Sequence, residues 1–277
     1  MANELKVSVI SPCYNHGRYL CEMMDSVLSQ TLQCFELIIV DDGSTDGTRD
    51  ILDRLRHEKL RVIHTAHSGP AAARNTAIAA ARAPIILNLD ADDRIAPTLL
   101  EKACGLFDNP EIGIINSEVR FFGARTGRFE LPPYSLSAML ADNVIHSTAF
   151  FRKEDWQKSG GYSDDLIYGL EDYDFWLSLI ELGRKVYRIP EELIFYRTYR
   201  KTGDCRSGRL KRNRKQTILT QLTIFRRHED LFRTSPEAHG RMTLLKEKWD
   251  REPAGIRRMK QIYCGLRSRY RAMLENT

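Results

Sequence analysis

Hydrophobic and polar residues alternate along the first ninety positions in a pattern typical of strands separated by helices. Short apolar runs rich in β-branched residues indicate strands, and apolar positions three and four apart indicate helices. The predicted strands are Lys6–Ser11, Phe35–Val40, Arg61–His64 and Pro84–Leu89. The predicted helices between them are Tyr19–Ser29, Thr48–His57 and Ala71–Ala81. This alternation predicts a parallel α/β sheet that is covered on both faces and doubly wound.

The pattern becomes mixed after Leu89, and strands are no longer predicted after Gly203. Helices are predicted over Pro97–Phe107, Lys153–Ser159 and Glu171–Leu182, and strands over Ile112–Arg120, Val144–Phe151, Lys185–Arg188 and Leu193–Arg200. The remaining chain is typical of basic helices, and the last has an apolar stripe that runs from Ile256 to Met273. We therefore predict two domains, residues 1–204 and 205–277.

The net charge of +5 conceals two regions of opposite sign. Residues 205–277 contain 19 Lys and Arg against 7 Asp and Glu, which leaves 23 basic and 30 acidic residues in residues 1–204. The charge of +5 is therefore −7 in the first region and +12 in the second. A basic region of this kind favours an anionic partner, such as phospholipid or nucleic acid.

Composition excludes disordered, disulfide-stapled and membrane-spanning classes. The chain has 277 residues, 42% of them hydrophobic and 29% charged, which is the ordinary globular range. No apolar run approaches the roughly 20 residues of a membrane span, and the first run ends at Pro12, too early for a signal-peptide core. The six cysteines form no CxxC pair and are expected to be free thiols. We expect a cytoplasmic protein with at most peripheral membrane contact.

Polar or acidic loops follow three of the predicted strands, where a doubly wound sheet binds its ligands. These loops are Ser11–Asn15, Asp41–Thr48 and Asp90–Asp93. Tyr14 could stack on a flat base or cap the core, and Asp42 could bind a ligand or belong to a turn before a helix. Because GxxxxGK[ST] and GxGxxG are both absent, P-loop and dinucleotide-binding functions are disfavoured.

The segment Asp90–Asp93 is the sharpest chemical signal, because it places three carboxylates within four residues. Their mutual repulsion is relieved when a cation lies among them, and oxygen ligands favour Mg²⁺ or Mn²⁺ shared with substrate phosphates. A solvated loop before the next helix is the alternative.

Six segments together carry a specific resemblance. They are Val9–Asn15, Ser26–Thr31, Phe35–Asp46, Ala73–Asn75, Leu89–Asp93 and Glu171–Asp172. In order and spacing they resemble the family 2 glycosyltransferases of GT-A fold, over about residues 5–200. The resemblance implies a GT-A doubly wound mixed sheet, with a Rossmann-like nucleotide-binding half, an acceptor half and a basic helical extension.

The resemblance also implies roles for the strand-end residues. The positions that match the family's nucleotide-sugar pocket are Pro12, Tyr14, Asp41, Asp42, His67, Arg74, Asp90 and Asp92. Tyr14 would stack on uracil beside Pro12, and Asp42, in preference to Asp41, would accept a hydrogen bond from a base N–H. His67 lies where a pocket Asn is often found, and Arg74 matches an Arg that reaches the nucleotide. Asp90 would contact the ribose, and Asp92 would bind Mn²⁺ or Mg²⁺ at the diphosphate.

Asp172 matches the family's catalytic base. It shares one face of its predicted helix with Trp176 and Leu179, which puts it where an apolar face meets the cleft. An acidic first helical turn is the alternative explanation of the same residues. The family often has a His where this chain has Tyr199, and Arg200 or Lys201 could take over as a cationic clamp.

The predicted function is transfer of a sugar from a UDP-sugar to an acceptor hydroxyl, metal-dependent and with inversion, for cell-envelope polysaccharide or lipid-linked glycan synthesis. The alternatives are a sugar-phosphate nucleotidyltransferase and a nucleic-acid-binding protein that uses the basic region. The first would need a Gly-rich basic loop in place of Pro12–His16, and the second lacks interleaved aromatics in Arg206–Lys215. We expect a glycan or lipid-linked acceptor, no nucleic acid, and contact of residues 205–277 with an anionic inner membrane face.

Overall fold

The computed structural model describes residues 4–200 and 214–251. It consists of two compact units, the first ending at Arg214 and the second beginning at Lys215. The predicted boundary between residues 204 and 205, and the apolar stripe from Ile256 to Met273, lie outside the described residues and stay predictions.

The first unit contains a mixed sheet and the helices that connect its strands. The strands are β1 (Val7–Cys13), β2 (Phe35–Asp42), β3 (Leu60–Thr65), β4 (Ile85–Asn88), β5 (Arg94–Ile95), β6 (Ile112–Gly123), β7 (Gly127–Phe129), β8 (Phe150–Arg152) and β9 (Lys185–Thr198). The helices are α1 (Leu20–Leu28), α2 (Thr48–Arg54), α3 (Pro70–Ala80), α4 (Leu99–Leu106), α5 (Leu136–Ala141), α6 (Lys153–Ser159) and α7 (Glu171–Glu181).

The strand order in the sheet is β3-β2-β1-β4-β8-β6-β9-β5, with β7 paired to β6. The strands β3, β2, β1 and β4 are parallel, as the alternation of strands and helices predicts. Strand β8 is antiparallel to both of its neighbours, β4 and β6, and makes the sheet mixed. The carboxyl ends of β1, β2 and β4 therefore lie at one edge.

Helices cover both faces of the parallel strands. Val7, Val9, Leu37 and Ile39 belong to a core cluster that also contains the apolar residues of α1 and α4. Helix α3 packs on β1 and β2 but contributes no residue to that cluster, so it lies on the opposite face. All of β2 is buried, as expected for a strand that is covered on both sides.

The predicted strand Val144–Phe151 is wrong before Phe150. The strand there is β8, and the preceding residues form a loop. The N–H of Ile145 donates to Asn143 Oδ1 at 3.1 Å and that of Thr148 to His146 Nδ1 at 3.1 Å. Side-chain acceptors thus bond to the backbone N–H groups of Ile145 and Thr148, which then do not pair with a neighbouring strand.

The two strands predicted over Lys185–Arg188 and Leu193–Arg200 form one strand, β9, that ends at Thr198. Its pairing with β6 shifts register between Ile189, which pairs with Ser117, and Glu192, which pairs with Glu118. Pro190 lies in this irregular stretch, where the N–H that proline lacks is not needed. The sequence pattern detected the two regular halves and missed their continuity.

The second unit is helical over its described residues. Its helices are α8 (Arg214–Arg227), which begins at the last residue of the first unit, α9 (Glu229–Arg233) and α10 (Pro236–Asp250). The Ser235 hydroxyl accepts from the N–H of Ala238 at the start of α10, and the ring of Phe225 lies against those of Phe232 and His239. Helices predicted past Gly203 are confirmed for this range. In the part of the chain that the structure describes, no helix is both long and apolar enough to traverse a bilayer.

Candidate active site

The loops after β1 and β2 are joined by hydrogen bonds at the carboxyl edge of the sheet. Asn15 has a left-handed backbone conformation, with a φ of +58°, and its side chain contacts the loop that follows β2. Its Oδ1 accepts from the N–H of Thr45 at 2.8 Å and of Asp46 at 3.3 Å. The convergence that the strand order implies is therefore built from specific contacts.

Asp41 is buried and its carboxylate is bonded within the protein. The N–H of Ser44 donates to Oδ1 at 3.0 Å, and His64 Nδ1 lies 2.9 Å from Oδ2. The other nitrogen of His64 lies 3.0 Å from the Asp53 carboxylate. Burial would raise the pKa of Asp41, but the bonds from Ser44 and His64 outweigh it and lower the pKa. Asp41 is therefore an ionised group that stabilises the turn.

Tyr14, Asp42 and His67 come together as the sequence predicts. The N–H groups of Ser68 and Gly69, just before α3, donate to the Asp42 carboxylate at 2.7 Å and 2.9 Å. His67 Nδ1 lies 2.9 Å from the same carboxylate, and its ring stacks on Tyr14 with centroids 4.1 Å apart. Tyr14 is 39% exposed, whereas the Asp42 side chain is 3% exposed. The two rings thus form the open part of this pocket.

Pro12 lies two residues before Tyr14, near the end of β1, where it pairs in register with Val40 of β2. It is half-buried. Its part in the pocket stays a prediction.

Arg74 lies on α3 and bonds to three groups of the protein. Its Nε donates to Asn88 Oδ1 at 3.1 Å, one terminal nitrogen to Glu171 at 2.7 Å and the other to Asp90 at 2.9 Å. The side chain is 5% exposed. The resemblance implies contact with the nucleotide, whereas here the guanidinium joins the end of β4 to the first turn of α7. No sequence signal linked Glu171 to Arg74.

The three carboxylates after β4 have different surroundings. The Asp90 side chain is 29% exposed, and Ser147 Oγ lies 3.5 Å from Oδ2, the oxygen to which Arg74 does not donate. Asp93 is fully buried; the N–H of Arg197 donates to its Oδ1 at 2.8 Å, while Oδ2 has no hydrogen-bond partner. Burial, Asp92 and Asp90 together raise the pKa of Asp93. Asp90 and Asp92 are therefore the members of the cluster that can meet a ligand.

Tyr199 occupies the position where the family often has a His. Its hydroxyl donates to Asp92 Oδ2, and its ring lies edge-on to that of Tyr19. Arg197, two residues earlier, donates from Nε to the Asp92 carbonyl at 2.7 Å and pairs with Glu22. Arg200, one of the predicted clamps, is exposed, and Lys201, the other, is outside the described residues.

Asp172 lies in the first turn of α7, directly after Glu171. The N–H of Tyr173 donates to its Oδ1 at 2.9 Å and the side-chain amide of Asn143 to its Oδ2 at 3.3 Å. Both donors fix the orientation of the carboxylate. Leu170, the residue just before Glu171 and Asp172, has a φ of +64°, which is uncommon for a residue with a branched side chain.

Within the described residues, no group of three or more His, Cys, Asp and Glu side chains is arranged to hold a metal ion. The oxygen donors at the end of β4 are few and suit a hard cation that keeps waters and shares substrate phosphates. The described cysteines, Cys13, Cys21, Cys34 and Cys104, are free thiols.

A comparison with known proteins gives a family match and extended relatives. The profile of Glycosyl transferase family 2 matches residues 8–160. TuaG of Bacillus subtilis, a glycosyltransferase that its name assigns to teichuronic acid biosynthesis, is 32% identical over 212 residues, 69% of this chain and 78% of TuaG. The match to an uncharacterised glycosyltransferase of Nostoc covers only 34% of that protein. The chain thus spans most of one relative and about a third of another.

Solved structures share the fold. Residues 1–349 of TarS of S. aureus, in complex with UDP, match with a TM-score of 0.64 at 21% identity, over 79% of this chain and 64% of that TarS chain. The mannosyltransferase PcManGT of Pyrobaculum calidifontis, in complex with GDP-Man and Mn²⁺, has a TM-score of 0.62 at 20% identity, over 98% of this chain and 84% of PcManGT. These likenesses confirm the predicted GT-A mixed sheet.

Proposed function

This chain belongs to glycosyl transferase family 2, and on that premise we propose that it transfers a sugar from a UDP-sugar to a hydroxyl of a glycan or lipid-linked acceptor. The family match over residues 8–160 and the name of TuaG support a role in envelope polysaccharide synthesis. The UDP complex of TarS supports a uridine donor. Family membership favours transfer over the nucleotidyltransferase and nucleic-acid-binding alternatives.

The uracil base binds against Tyr14 in this proposal. Its ring is 39% exposed and offers a flat face on the side away from His67, which stacks on the other side, and Pro12 lies two residues before it. The N–H groups of Ser68 and Gly69 hold the Asp42 carboxylate in place, so its remaining lone pairs have a fixed direction. Asp41 holds the adjoining turn in shape. Asp90, the more exposed carboxylate after β4, accepts from the ribose hydroxyls.

A divalent cation, Mn²⁺ or Mg²⁺, fits the oxygen donors after β4. Asp92 would hold it, with Asp90 beside it, and the diphosphate and waters would supply the other ligands. When bound, the ion neutralises the charge that develops on the departing UDP. The Mn²⁺ complex of PcManGT supports this cofactor.

Asp172 acts as the general base. Its carboxylate takes the proton of the acceptor hydroxyl while that oxygen forms a bond to the anomeric carbon. The bond from the anomeric carbon to the diphosphate oxygen breaks, and its electron pair leaves with UDP. Attack from the face opposite the leaving group inverts the anomeric configuration. The single observation that carries this proposal is the pair of ion pairs through Arg74, which connects Asp90 to the turn that bears Asp172.

The substitution Asp172→Asn tests the proposal. We expect transfer from a UDP-sugar to fall by roughly 10²- to 10⁴-fold, the usual contribution of a general base. UDP should still protect the variant against thermal unfolding, because Asp172 lies outside the nucleotide pocket. The matched control is Asp165→Asn, an exposed carboxylate in the preceding loop, which should keep full activity. Undiminished turnover in Asp172→Asn would contradict the assignment.

Residues 205–277 dock on an anionic membrane in this proposal. Their 19 basic residues, against 7 acidic ones, support this part of it. Each Lys or Arg near such a surface contributes about 1 kcal/mol. The full chain should sediment with phosphatidylglycerol vesicles but not with phosphatidylcholine vesicles, and Arg257→Glu combined with Arg258→Glu should weaken this. Equal sedimentation with both vesicles, or salt-dependent retention on DNA alone, would contradict it.

A further inference from the structure

The guanidinium of Arg74 connects three separate parts of the first unit. Asn88 ends β4, Asp90 lies in the acidic loop that follows, and Glu171 begins α7. Each of the three guanidinium nitrogens donates to a different one of these side chains, at 3.1, 2.9 and 2.7 Å. Since the group is planar and rigid, these bonds fix the three partners relative to one another.

The partners of Arg74 are themselves held in place. The side-chain amide of Asn88 donates to the Ser147 carbonyl at 2.9 Å, which fixes its oxygen toward Arg74. The ring of Tyr162 lies 5.5 Å from the guanidinium carbon, and Glu171 is 5% exposed. Burial would lower the pKa of Arg74, but the carboxylates of Asp90 and Glu171 raise it, so the cation persists. Arg74 and Glu171 therefore form a charged pair that is shielded from water, whereas Asp90 keeps an exposed edge toward the site.

The first turn of α7 depends on this cluster for its position. Leu170, the residue before it, has a φ of +64°, which a branched side chain adopts only when its surroundings hold it there. Glu171 follows at once, and its buried ion pair with Arg74 connects the turn to α3. Asp172 is the next residue. A displacement of Glu171 therefore displaces the Asp172 carboxylate.

We propose that Arg74 and Glu171 are positioning residues, which hold Asp90 of the donor pocket and the Asp172 carboxylate at a fixed separation. This inference rests on the proposed function, because it assigns Asp172 the role of base and Asp90 that of a donor contact. Arg74 acts through its two carboxylate partners and does not contact the nucleotide. The benefit is orientation of the base toward the anomeric carbon, where a misplacement of about 1 Å costs ~10²-fold in rate.

The substitution Glu171→Gln tests the pair, since it keeps the shape of the side chain and removes its charge. We expect kcat to fall by about 10- to 100-fold. The donor KM and the affinity for UDP should change by less than about threefold. Amide hydrogen exchange in the first turn of α7 should become faster. Unchanged kcat and unchanged exchange would overturn the proposal.

The matched control is Glu36→Gln, at the start of β2 and far from the carboxyl edge. Glu36 is also buried, at 1% exposure, and also bonded to an arginine, Arg82, at 2.9 Å. This variant should lower thermal stability and leave both kcat and exchange in α7 unchanged. If both variants lose kcat in proportion to stability, the role of Glu171 is merely structural.

The substitution Arg74→Lys separates positioning from nucleotide contact. One ammonium cannot span three partners, so kcat should fall by a larger factor than UDP affinity, which decreases only as far as Asp90 loses its fixed position. A loss of UDP affinity of tenfold or more with kcat retained would mean that Arg74 contacts the nucleotide and would overturn the proposal. If the unmodified protein turns over no nucleotide-sugar, the proposed function fails. The exchange measurement then decides separately whether Arg74 and Glu171 position α7.

Discussion

At the scale of the residue, the phenol at position 199 shows how this chain organises its acidic loop. The Tyr199 hydroxyl donates to the Asp92 carboxylate, and Arg197 holds the Asp92 carbonyl. Burial and the nearby Asp90 raise the pKa of Asp92, whereas His16 and the Tyr199 bond lower it, and the net shift is upward. Tyr199 therefore holds the carboxylate in one orientation.

Tyr199→Phe should weaken metal-dependent donor binding. Loss of a group that orients a metal ligand typically costs 10- to 100-fold in metal affinity. The measurement is the Mn²⁺ dependence of UDP binding by calorimetry, supported by the electron paramagnetic resonance signal of bound Mn²⁺. Tyr187→Phe, a change at an exposed tyrosine, serves as the control. An unaltered Mn²⁺ requirement in Tyr199→Phe would show that the hydroxyl does not orient Asp92.

Individual site residues were predictable where the signal is local and hidden where it is not. Tyr14, Asp42 and Asp90 follow strands whose ends meet at one edge, so strand prediction alone brought them together. Glu171 and Arg74 are distant in sequence, and nothing in either segment indicates that they pair. The sequence of one chain therefore does not predict an ion pair between two such distant residues.

At the scale of the element, the turn after β2 joins the two halves of the base pocket. Gly43 has a φ of +69°, and a Cβ there would lie 2.7 Å from the backbone nitrogen of His67. The stacking of His67 on Tyr14 therefore requires glycine at this point of the chain.

Gly43→Ala should destabilise the protein by at least about 1–2 kcal/mol, the cost of a left-handed conformation for a residue with a Cβ. His67 must also shift, so UDP affinity should fall. Gly105→Ala in α4, where a Cβ meets nothing within 4 Å, should instead stabilise by about 0.5–1 kcal/mol. Urea unfolding and UDP titration of both variants give the comparison. Equal stability of the two variants would contradict this account of the turn.

Elements with strong local patterns were predicted well, and those set by tertiary context were not. Helix α3 and strand β2 agree with prediction to within a few residues, because their apolar positions are buried as their spacing indicates. Strand β5 has two residues and exists through its pairing with β9. The loop before β8 contains Val144 and Ile145, which are typical of a strand, but side-chain bonds occupy backbone donors there.

At the scale of the whole molecule, the acidic surplus of residues 1–204 has a structural component as well as a chemical one. Glu36 carries none of the proposed chemistry, yet its carboxylate accepts from Ser8 at 2.8 Å and from the Arg82 backbone at 2.7 Å. Burial would raise the pKa of Glu36, but these bonds and the Arg82 side chain outweigh it and lower the pKa.

Glu36 should make stability depend on pH in the acid range. Because its pKa is lower in the folded protein, its contribution is present at neutral pH and lost as the pH falls below the ordinary value of 4.5. Glu36→Gln should lose about 1–3 kcal/mol at pH 7, as for hydrogen bonds to charged groups, and less at pH 3. Urea unfolding at both pH values measures this. A constant difference between the two proteins would contradict it.

Arg74 should also couple amino-acid changes at positions that are distant in the sequence. A mutation that removes its guanidinium leaves two carboxylates, Asp90 and Glu171, facing each other without a cation. A lineage that loses arginine at position 74 would need a neutral residue at 171 to restore the fit. Positions 74 and 171, 97 residues apart in the chain, are therefore expected to change together among descendants of a common ancestor.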